Sequence, residues 1–206
     1  MQLSGGLSAT GAWRPRKKSD EGRKFVTMQF PTDRTYNTIY ADPPWPEHGG
    51  GIIRRGANRH YDLMSVREIT ELPVRDLAAG NAHLYLWTTN NYLHDAIHIM
   101  NAWGFRYITT ITWAKDRFGL GQYFRGQTEH CLFGIRGYLP YKMIEGKRQQ
   151  GTTLLQAPRR EHSRKPDEMR TLIERVSYPP YIELFARATA PGWDTFGKEV
   201  GLFDFR

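Results

Sequence analysis

Four consecutive residues, Asp42-Pro43-Pro44-Trp45, place a carboxylate, two prolines and an indole directly after the apolar run 36–41. Two prolines end a strand, because proline donates no hydrogen bond to a neighbouring strand. Proline also pushes the residue before it towards extended geometry. The sequence therefore predicts a stiff corner at the carboxyl end of a strand, which is the edge of an open α/β sheet where ligands bind.

This corner offers hydrogen-bond acceptors beside an aromatic plane. Pro43 and Pro44 have carbonyl groups but no N–H, and Asp42 adds a carboxylate. A rigid cluster of acceptors suits a flat ligand that carries an exocyclic amine, such as adenine. Taken alone, the tetrapeptide is equally compatible with an ordinary turn that ends a strand.

The composition limits the class of protein. A chain of 206 residues fits one α/β domain with a tail, and its longest apolar run is shorter than the roughly 20 residues of a membrane span. The N-terminus lacks the apolar region of a signal peptide. The single cysteine, Cys131, excludes an internal disulfide and argues against a cysteine-rich zinc site. We therefore expect a cytoplasmic protein with no membrane partner, and we assign no metal.

The charge indicates a polyanionic partner. The formal net charge is +8 and the isoelectric point is about 9.7. Aromatic residues make up 13% of the chain, and such side chains stack on nucleic-acid bases as well as filling cores. Residues 1–33 are predicted to be a flexible tail whose basic cluster 14–18 is either simply solvated or in contact with phosphates. The folded domain is predicted to span 34–206.

The elements that must position the corner alternate along the chain. Ser65, with Glu68 three residues later, is predicted to begin a helix with a capping box. Other predicted elements are helices over 74–79, 92–103 and 166–176, and strands over 82–88, 105–114, 128–136, 152–156 and 181–186. This alternation indicates a layered α/β sheet with crossover helices.

Two glycine-rich, basic loops are predicted beside the corner, at 46–61 and 115–127. The first carries Arg54, Arg55 and Arg59 and could close over a substrate. We expect these loops to bind nucleic acid and to select its target, together with the polar segment 137–150.

Seven motifs, in this order, resemble those of the MT-A-type adenine-N6 methyltransferases. This family includes the catalytic subunit of the messenger-RNA adenosine methyltransferase and small prokaryotic and phage relatives. The motifs are Ala41-Asp42-Pro43-Pro44-Trp45, Tyr61-Asp62-Leu63-Met64-Ser65, Leu84-Tyr85-Leu86-Trp87, Thr112-Trp113-Ala114-Lys115, Glu129-His130-Cys131-Leu132, Lys165-Pro166-Asp167-Glu168 and Ile182-Glu183-Leu184-Phe185-Ala186-Arg187.

The resemblance implies an α/β fold, namely a Rossmann-like sheet that binds S-adenosylmethionine and has helices on both faces. It also implies a permuted motif order, in which the catalytic residues Asp42, Pro43, Pro44 and Trp45 precede the cofactor-binding strand. The target adenine would be flipped out of its stack and held between Trp45 and other aromatic side chains. Asp42 and the Pro43 carbonyl would accept hydrogen bonds from the N6 amine, orienting it and stabilising the developing positive charge.

The resemblance also assigns roles outside the corner. Lys165 would lie between cofactor and base, and Glu129 and Tyr61 would lie on the substrate side. Trp113 fits the substrate pocket as well as the core. The implied cofactor-binding residues are Asp42, Lys165, Phe185, Arg187, Gly197 and Glu199. The chain departs from the family pattern at 188–190, where Pro-His-Asn is replaced, and at 198–199, where Asn-Gln is replaced and Glu199 is expected to bind the ribose hydroxyls.

The function expected from the resemblance is adenine-specific DNA methylation at N6. The alternatives are an N6-adenosine methyltransferase that acts on RNA, and an inert nucleic-acid-binding partner subunit. The intact Asp42-Pro43-Pro44-Trp45 motif argues against an inert subunit. Methylation of a free small molecule is disfavoured by the basic loops. A homodimer or a heterodimer is compatible with the sequence.

Overall fold

The computed structural model describes residues 34–47, 63–119, 123–138, 141–159 and 164–197. The strands in this part of the chain are β1 (Tyr36–Ala41), β2 (Ala78–Thr88), β3 (Arg106–Ala114), β4 (Thr128–Arg136), β5 (Met143–Ile144), β6 (Lys147–Arg148), β7 (Leu154–Gln156), β8 (Tyr181–Leu184) and β9 (Trp193–Phe196). The α-helices are α1 (Val66–Thr70), α2 (Val74–Leu77), α3 (Leu93–Ala102) and α4 (Glu168–Val176).

Seven of these strands form one mostly parallel sheet in the order β7-β3-β4-β2-β1-β8-β9. β1 lies parallel to both β2 and β8, β9 lies parallel to β8, and β7 lies parallel to β3. β4 runs antiparallel to its neighbours β2 and β3. β5 and β6 form a separate two-stranded hairpin.

This order brings several chain ends to one side of the sheet, which we call the carboxyl edge. Here β1, β2, β3, β8 and β9 end, and the antiparallel β4 begins. The chain leaves β1 for β2 on one side, whereas β8 and β9 lie on the other side. The carboxyl ends of β1 and β8 therefore flank a topological switch point, the preferred ligand site of such sheets.

Both faces of the sheet are covered by helices, as predicted. On one face Ile69 of α1 and Ile99 and Met100 of α3 are fully buried in a cluster with Ile39 and other strand residues. On the other face Met169 and Ile173 of α4 pack in a second cluster that contains Tyr40, Trp87 and Trp113. Central strands are therefore buried on both sides, which explains the weak alternation of residues 82–88.

Most predicted elements are present, with corrections at their ends. The Ser65 capping box is confirmed: the Ser65 hydroxyl accepts from the Glu68 amide at 3.2 Å, and the Ser65 amide donates to the Glu68 carboxylate at 2.6 Å. The predicted bounds of β4 are those observed. β2 begins at Ala78, because residues predicted to be the end of a helix pair with β1.

Two features were not predicted. β9 lies at the edge of the sheet, and the hairpin of β5 and β6 lies within the polar segment 137–150. No helix among the described residues is both long and apolar enough to cross a membrane.

Candidate active site at the carboxyl edge

The corner after β1 is held by its own backbone. The Trp45 amide donates to the Pro43 carbonyl at 2.9 Å, and the Glu47 amide donates to the Trp45 carbonyl at 2.7 Å. The Pro44 carbonyl accepts from the Met64 amide at 3.0 Å. A carbonyl oxygen has two lone pairs, so Pro43 keeps capacity to accept a second hydrogen bond.

Trp45 braces this corner from within the protein. Its side chain is 5% exposed, and its ring stacks on Tyr92 with 5.3 Å between centroids. Its Nε1 donates to the Trp87 carbonyl at 2.9 Å. The expectation that the target base stacks on Trp45 is therefore not supported by this arrangement, because the indole is packed in the core and supports the corner instead.

Four charged side chains of alternating sign meet beside the corner. Lys165 Nζ, just before α4, lies 2.7 Å from Asp42 Oδ2 and 3.4 Å from Glu129 Oε2. Lys115 Nζ, directly after β3, lies 2.5 Å from Glu129 Oε1. The side chains are 14–22% exposed, so solvent screens these ion pairs less than it screens pairs at the surface. The predicted site residues Asp42, Glu129 and Lys165 are thus brought together.

Burial and charge act against each other on these groups. Burial raises the pKa of Asp42, and the ammonium group of Lys165 offsets this only in part. Burial would likewise raise the pKa of Glu129, but the two neighbouring lysines hold it below its ordinary value. Burial opposes the charged form of Lys165, yet the two carboxylates raise its pKa. At neutral pH Lys165 is therefore a cation fixed between two carboxylates.

Aromatic rings lie directly beneath these charges. Lys165 Nζ lies 5.4 Å from the ring centroid of Trp87, whose Nε1 donates to the Tyr40 hydroxyl at 2.6 Å. Lys115 Nζ lies 4.8 Å from the ring centroid of Trp113. Trp113 is 2% exposed and donates to the Ala157 carbonyl at 2.8 Å, so of the two roles predicted for it the structure favours the core.

The ends of β8 and β9 form a second part of this edge. Phe185 has the left-handed value φ = 63° directly after β8. Gly197 follows β9, and a Cβ added there would lie 2.1 Å from the Ala186 carbonyl oxygen. The Ala186 amide also donates to the Phe196 carbonyl at 3.0 Å. The ends of β8 and β9 thus lie side by side, and the Asp42 amide donates to the Leu184 carbonyl at 3.4 Å. Arg187, three residues after the end of β8, is half-buried. These residues fit a small-molecule site at the switch point.

Several predicted site residues lie outside the described part of the chain, namely Arg54, Arg55, Arg59, Tyr61 and Glu199. One residue of the charge cluster was missed from the sequence. Lys115 was quoted in a motif and placed in a basic loop without a role in the site, although it follows β3 immediately and Glu129 is the second residue of β4. Recognising strands 105–114 and 128–136 as an antiparallel pair would have placed Lys115 beside Glu129.

Comparisons with known proteins place the chain among methyltransferases. The MT-A70 family model matches residues 36–199. The chain is 32% identical over 196 residues to the type II methyltransferase M.MunI of Mycoplasma sp, covering 85% of this chain and 82% of the relative. It is 31% identical over 176 residues to a putative N(6)-adenosine-methyltransferase of Medicago truncatula, and 29% identical over 176 residues to the human catalytic subunit METTL3. These two matches cover 80% of this chain but only 26% and 28% of the relatives.

Proposed function

Because the chain belongs to the MT-A70 family of methyltransferases, we propose that it transfers a methyl group from S-adenosylmethionine to N6 of adenine in DNA. The observation that carries this proposal is the corner at Asp42 and Pro43. It presents a carboxylate and a carbonyl at the switch point of the sheet, with Lys165 fixed against Asp42 at 2.7 Å.

S-adenosylmethionine, when bound, supplies an electrophilic methyl group on a sulfonium centre. The task of the protein is to aim the N6 amine at it. Lys165 engages Asp42 Oδ2, and we assign Asp42 Oδ1 and the Pro43 carbonyl to the two N6 hydrogens. Those hydrogen bonds orient the nitrogen lone pair and stabilise the positive charge that develops on nitrogen. The raised pKa of Asp42 suits this carboxylate to take up the proton that the amine then loses.

Lys165 has a second role in this scheme, because its positive charge lies between the Asp42 and Glu129 carboxylates and offsets their mutual repulsion. Without its ammonium group Asp42 and Glu129 would repel each other. The cofactor is assigned to the adjacent ends of β8 and β9, at Phe185, Arg187 and Gly197. Glu199 is assigned to its ribose hydroxyls, and Asp42 and Lys165 to its methyl-bearing end.

DNA is proposed as the substrate because of how the relatives match. The Mycoplasma type II methyltransferase is matched along most of both chains, whereas the adenosine methyltransferases contain much that this chain does not match. RNA is the second candidate, since those adenosine methyltransferases still match 80% of this chain. The net charge of +8 suits either polyanion.

The test is methyl transfer to DNA and RNA oligonucleotides, read by mass spectrometry of the released nucleosides. We expect N6-methyladenine in DNA, with kcat lowered about 10²–10³-fold in Asp42→Asn, the loss typical of removing one preorganised charge-stabilising group. Asp76→Asn, at an exposed position on α2, is the matched control and should retain activity. Product in RNA alone would transfer the proposal to RNA. Binding without product from either polymer, unchanged in Asp42→Asn, would identify an inert subunit.

A further inference from the structure

We propose that the connection between β3 and β4 is a finger whose aromatic tip enters a DNA duplex beside the target adenine and fills the space that the flipped base leaves. The finger is defined by its described residues, 115–119 and 123–127. This inference rests on the proposed function, and it further specifies a double-stranded substrate.

The two arms of the finger are bonded to each other. The Lys115 amide donates to the Gln127 carbonyl at 2.9 Å, and the Gln127 side-chain amide donates back to the Lys115 carbonyl at 2.9 Å. Further out, the Gly119 amide donates to the Gly126 carbonyl at 2.6 Å, and Arg125 Nε donates to the Gly119 carbonyl at 3.0 Å. The arms approach so closely that a Cβ on Gly119 would lie 2.9 Å from the Gly126 oxygen. These bonds support the outer residues as a hairpin does.

The outer part of the finger exposes large rings to solvent. Tyr123 is 93% exposed, Phe124 is 91% exposed and Phe118 is 59% exposed. Adjacent apolar rings held in water indicate an interaction site. Aromatic side chains stack on any base through its π face, and they can partly replace the stacking that neighbouring bases lose when a nucleotide is extruded.

The charges of the finger favour a nucleic acid over a protein as the partner. Residues 115–127 contain three cations and one carboxylate. That carboxylate, Asp116, accepts a hydrogen bond from the Arg159 amide at 2.7 Å. The side chain of Arg117 is 82% exposed, and the guanidinium of Arg125 lies 5.6 Å from the ring centroid of Phe118. Arginines beside exposed rings are suited to phosphates and unstacked bases.

The base of the finger lies in the charge cluster of the candidate active site. Lys115, its first residue, is ion-paired with Glu129 at 2.5 Å, and Glu129 contacts Lys165 beside Asp42. The tip therefore belongs to the same connection between β3 and β4 that carries Lys115, so it would insert next to the charge cluster. This location suits a wedge for base flipping better than it suits a remote anchor.

The experiment compares the full chain with its Tyr123→Ala/Phe124→Ala variant on three substrates: a matched duplex, the same duplex with a mismatched target adenine, and the single strand. We expect kcat/KM of the variant to fall about 10-fold or more on the matched duplex, the size of losing base–aromatic stacking. The loss should be much smaller on the other two substrates, because a mismatched or unpaired adenine is extruded at little cost. Tyr107→Ala is the matched control, since this ring is 37% exposed and lies near the start of β3, at the edge of the sheet opposite the site.

A second measurement does not depend on methyl transfer. With 2-aminopurine in place of the target adenine, wild type should raise the fluorescence of the duplex as the base leaves the stack, and the double variant should not. If methyl transfer fails but this fluorescence difference is observed, the proposed function is overturned and the proposal that the aromatic tip inserts into the duplex stands. Equal losses on all three substrates, full activity on the matched duplex, or conversion of a dimer to a monomer in sedimentation would overturn the wedge.

Discussion

Lys165 is the residue on which the electrostatics of the site depend, because among the described residues its ammonium group is the one ion-paired with both Asp42 and Glu129. Its positive charge lowers the pKa of Asp42, against the larger effect of burial. In Lys165→Met the pKa of Asp42 should therefore rise further, and activity should be lost at a higher pH as the solution is acidified. We expect a large fall in kcat and an acid limb of the pH–rate profile displaced upwards.

The matched control for that prediction is Lys115→Met. It removes a cation that is bonded to Glu129, whereas the pKa of Asp42 responds chiefly to Lys165 after burial. Its acid limb should move less than that of Lys165→Met. An acid limb that stays in place, or moves downwards, in Lys165→Met would show that another group controls the ionisation.

His83 should make stability depend on pH. Its side chain is buried against Ser177, with Nδ1 and Oγ 2.7 Å apart, and burial lowers its pKa to about 4. The unfolded chain binds the proton near pH 6.5, so the native state loses stability as the pH falls from about 6.5 to 4. At pH 4 this protonation should have lowered the free energy of unfolding by about 3 kcal/mol relative to neutral pH.

The measurement is urea unfolding of wild type and His83→Gln at several pH values. The variant is expected to be less stable at neutral pH because it loses the fit around the ring. The gap between the two proteins should then close as the pH falls towards 4. Parallel stability curves would mean that His83 is protonated equally in the native and unfolded states.

Among the elements, the ends of β8 and β9 form the proposed cofactor site, and Gly197 is where they approach each other most closely. A Cβ at this position would lie 2.1 Å from the Ala186 carbonyl oxygen and 2.7 Å from its nitrogen. Backbone atoms cannot move aside as a flexible side chain can, so Gly197→Ala should separate the ends of β8 and β9. We expect weaker S-adenosylmethionine binding by calorimetry and a lower melting temperature.

Gly80→Ala is the matched control, because a Cβ there meets nothing within 4 Å and its φ is not in the left-handed region. It should leave both cofactor affinity and melting temperature nearly unchanged. Unchanged cofactor affinity in a folded Gly197→Ala variant would contradict the assignment of the cofactor to the ends of β8 and β9.

The sequence predicted elements best where local signals were strong. One such signal is the Ser65 capping box, and another is the nine-residue segment 128–136, which contains no proline and forms β4. β9 has only four residues, two of them the polar Asp194 and Thr195, and it is defined by pairing with β8. A strand that depends on a distant partner leaves little local signal.

The site was predicted in the same uneven way. Lys165 was expected at the same site as Asp42 only because whole motifs resembled those of a family, since 123 residues separate the two; their direct contact was not predicted. The packing of Trp45 against Tyr92 was not predicted, because Tyr92 lies far along the chain, and the stacking of a base on Trp45 stays a prediction. Residue type alone does not show which face of an indole the fold will cover.

For the whole molecule, the net charge of +8 predicts nucleic-acid binding that weakens steeply with salt. The slope of log K against log salt concentration counts phosphate contacts, at about 0.9 for each contact with duplex DNA. We expect the triple variant Arg54→Gln/Arg55→Gln/Arg59→Gln to bind DNA more weakly and to lower the magnitude of this slope by up to about 3. Binding of S-adenosylmethionine, measured by calorimetry, should be unchanged.

The control removes the same charge from the edge opposite the site. Arg75 on α2, Arg106 at the start of β3 and Arg175 near the end of α4 are exposed there. If the loop at 46–61 contacts phosphates directly, replacing these three with glutamine should change the slope less than the loop variant does. Equal changes in both variants would mean that net charge alone attracts DNA, and a parallel loss of cofactor binding in the loop variant would place that loop at the cofactor.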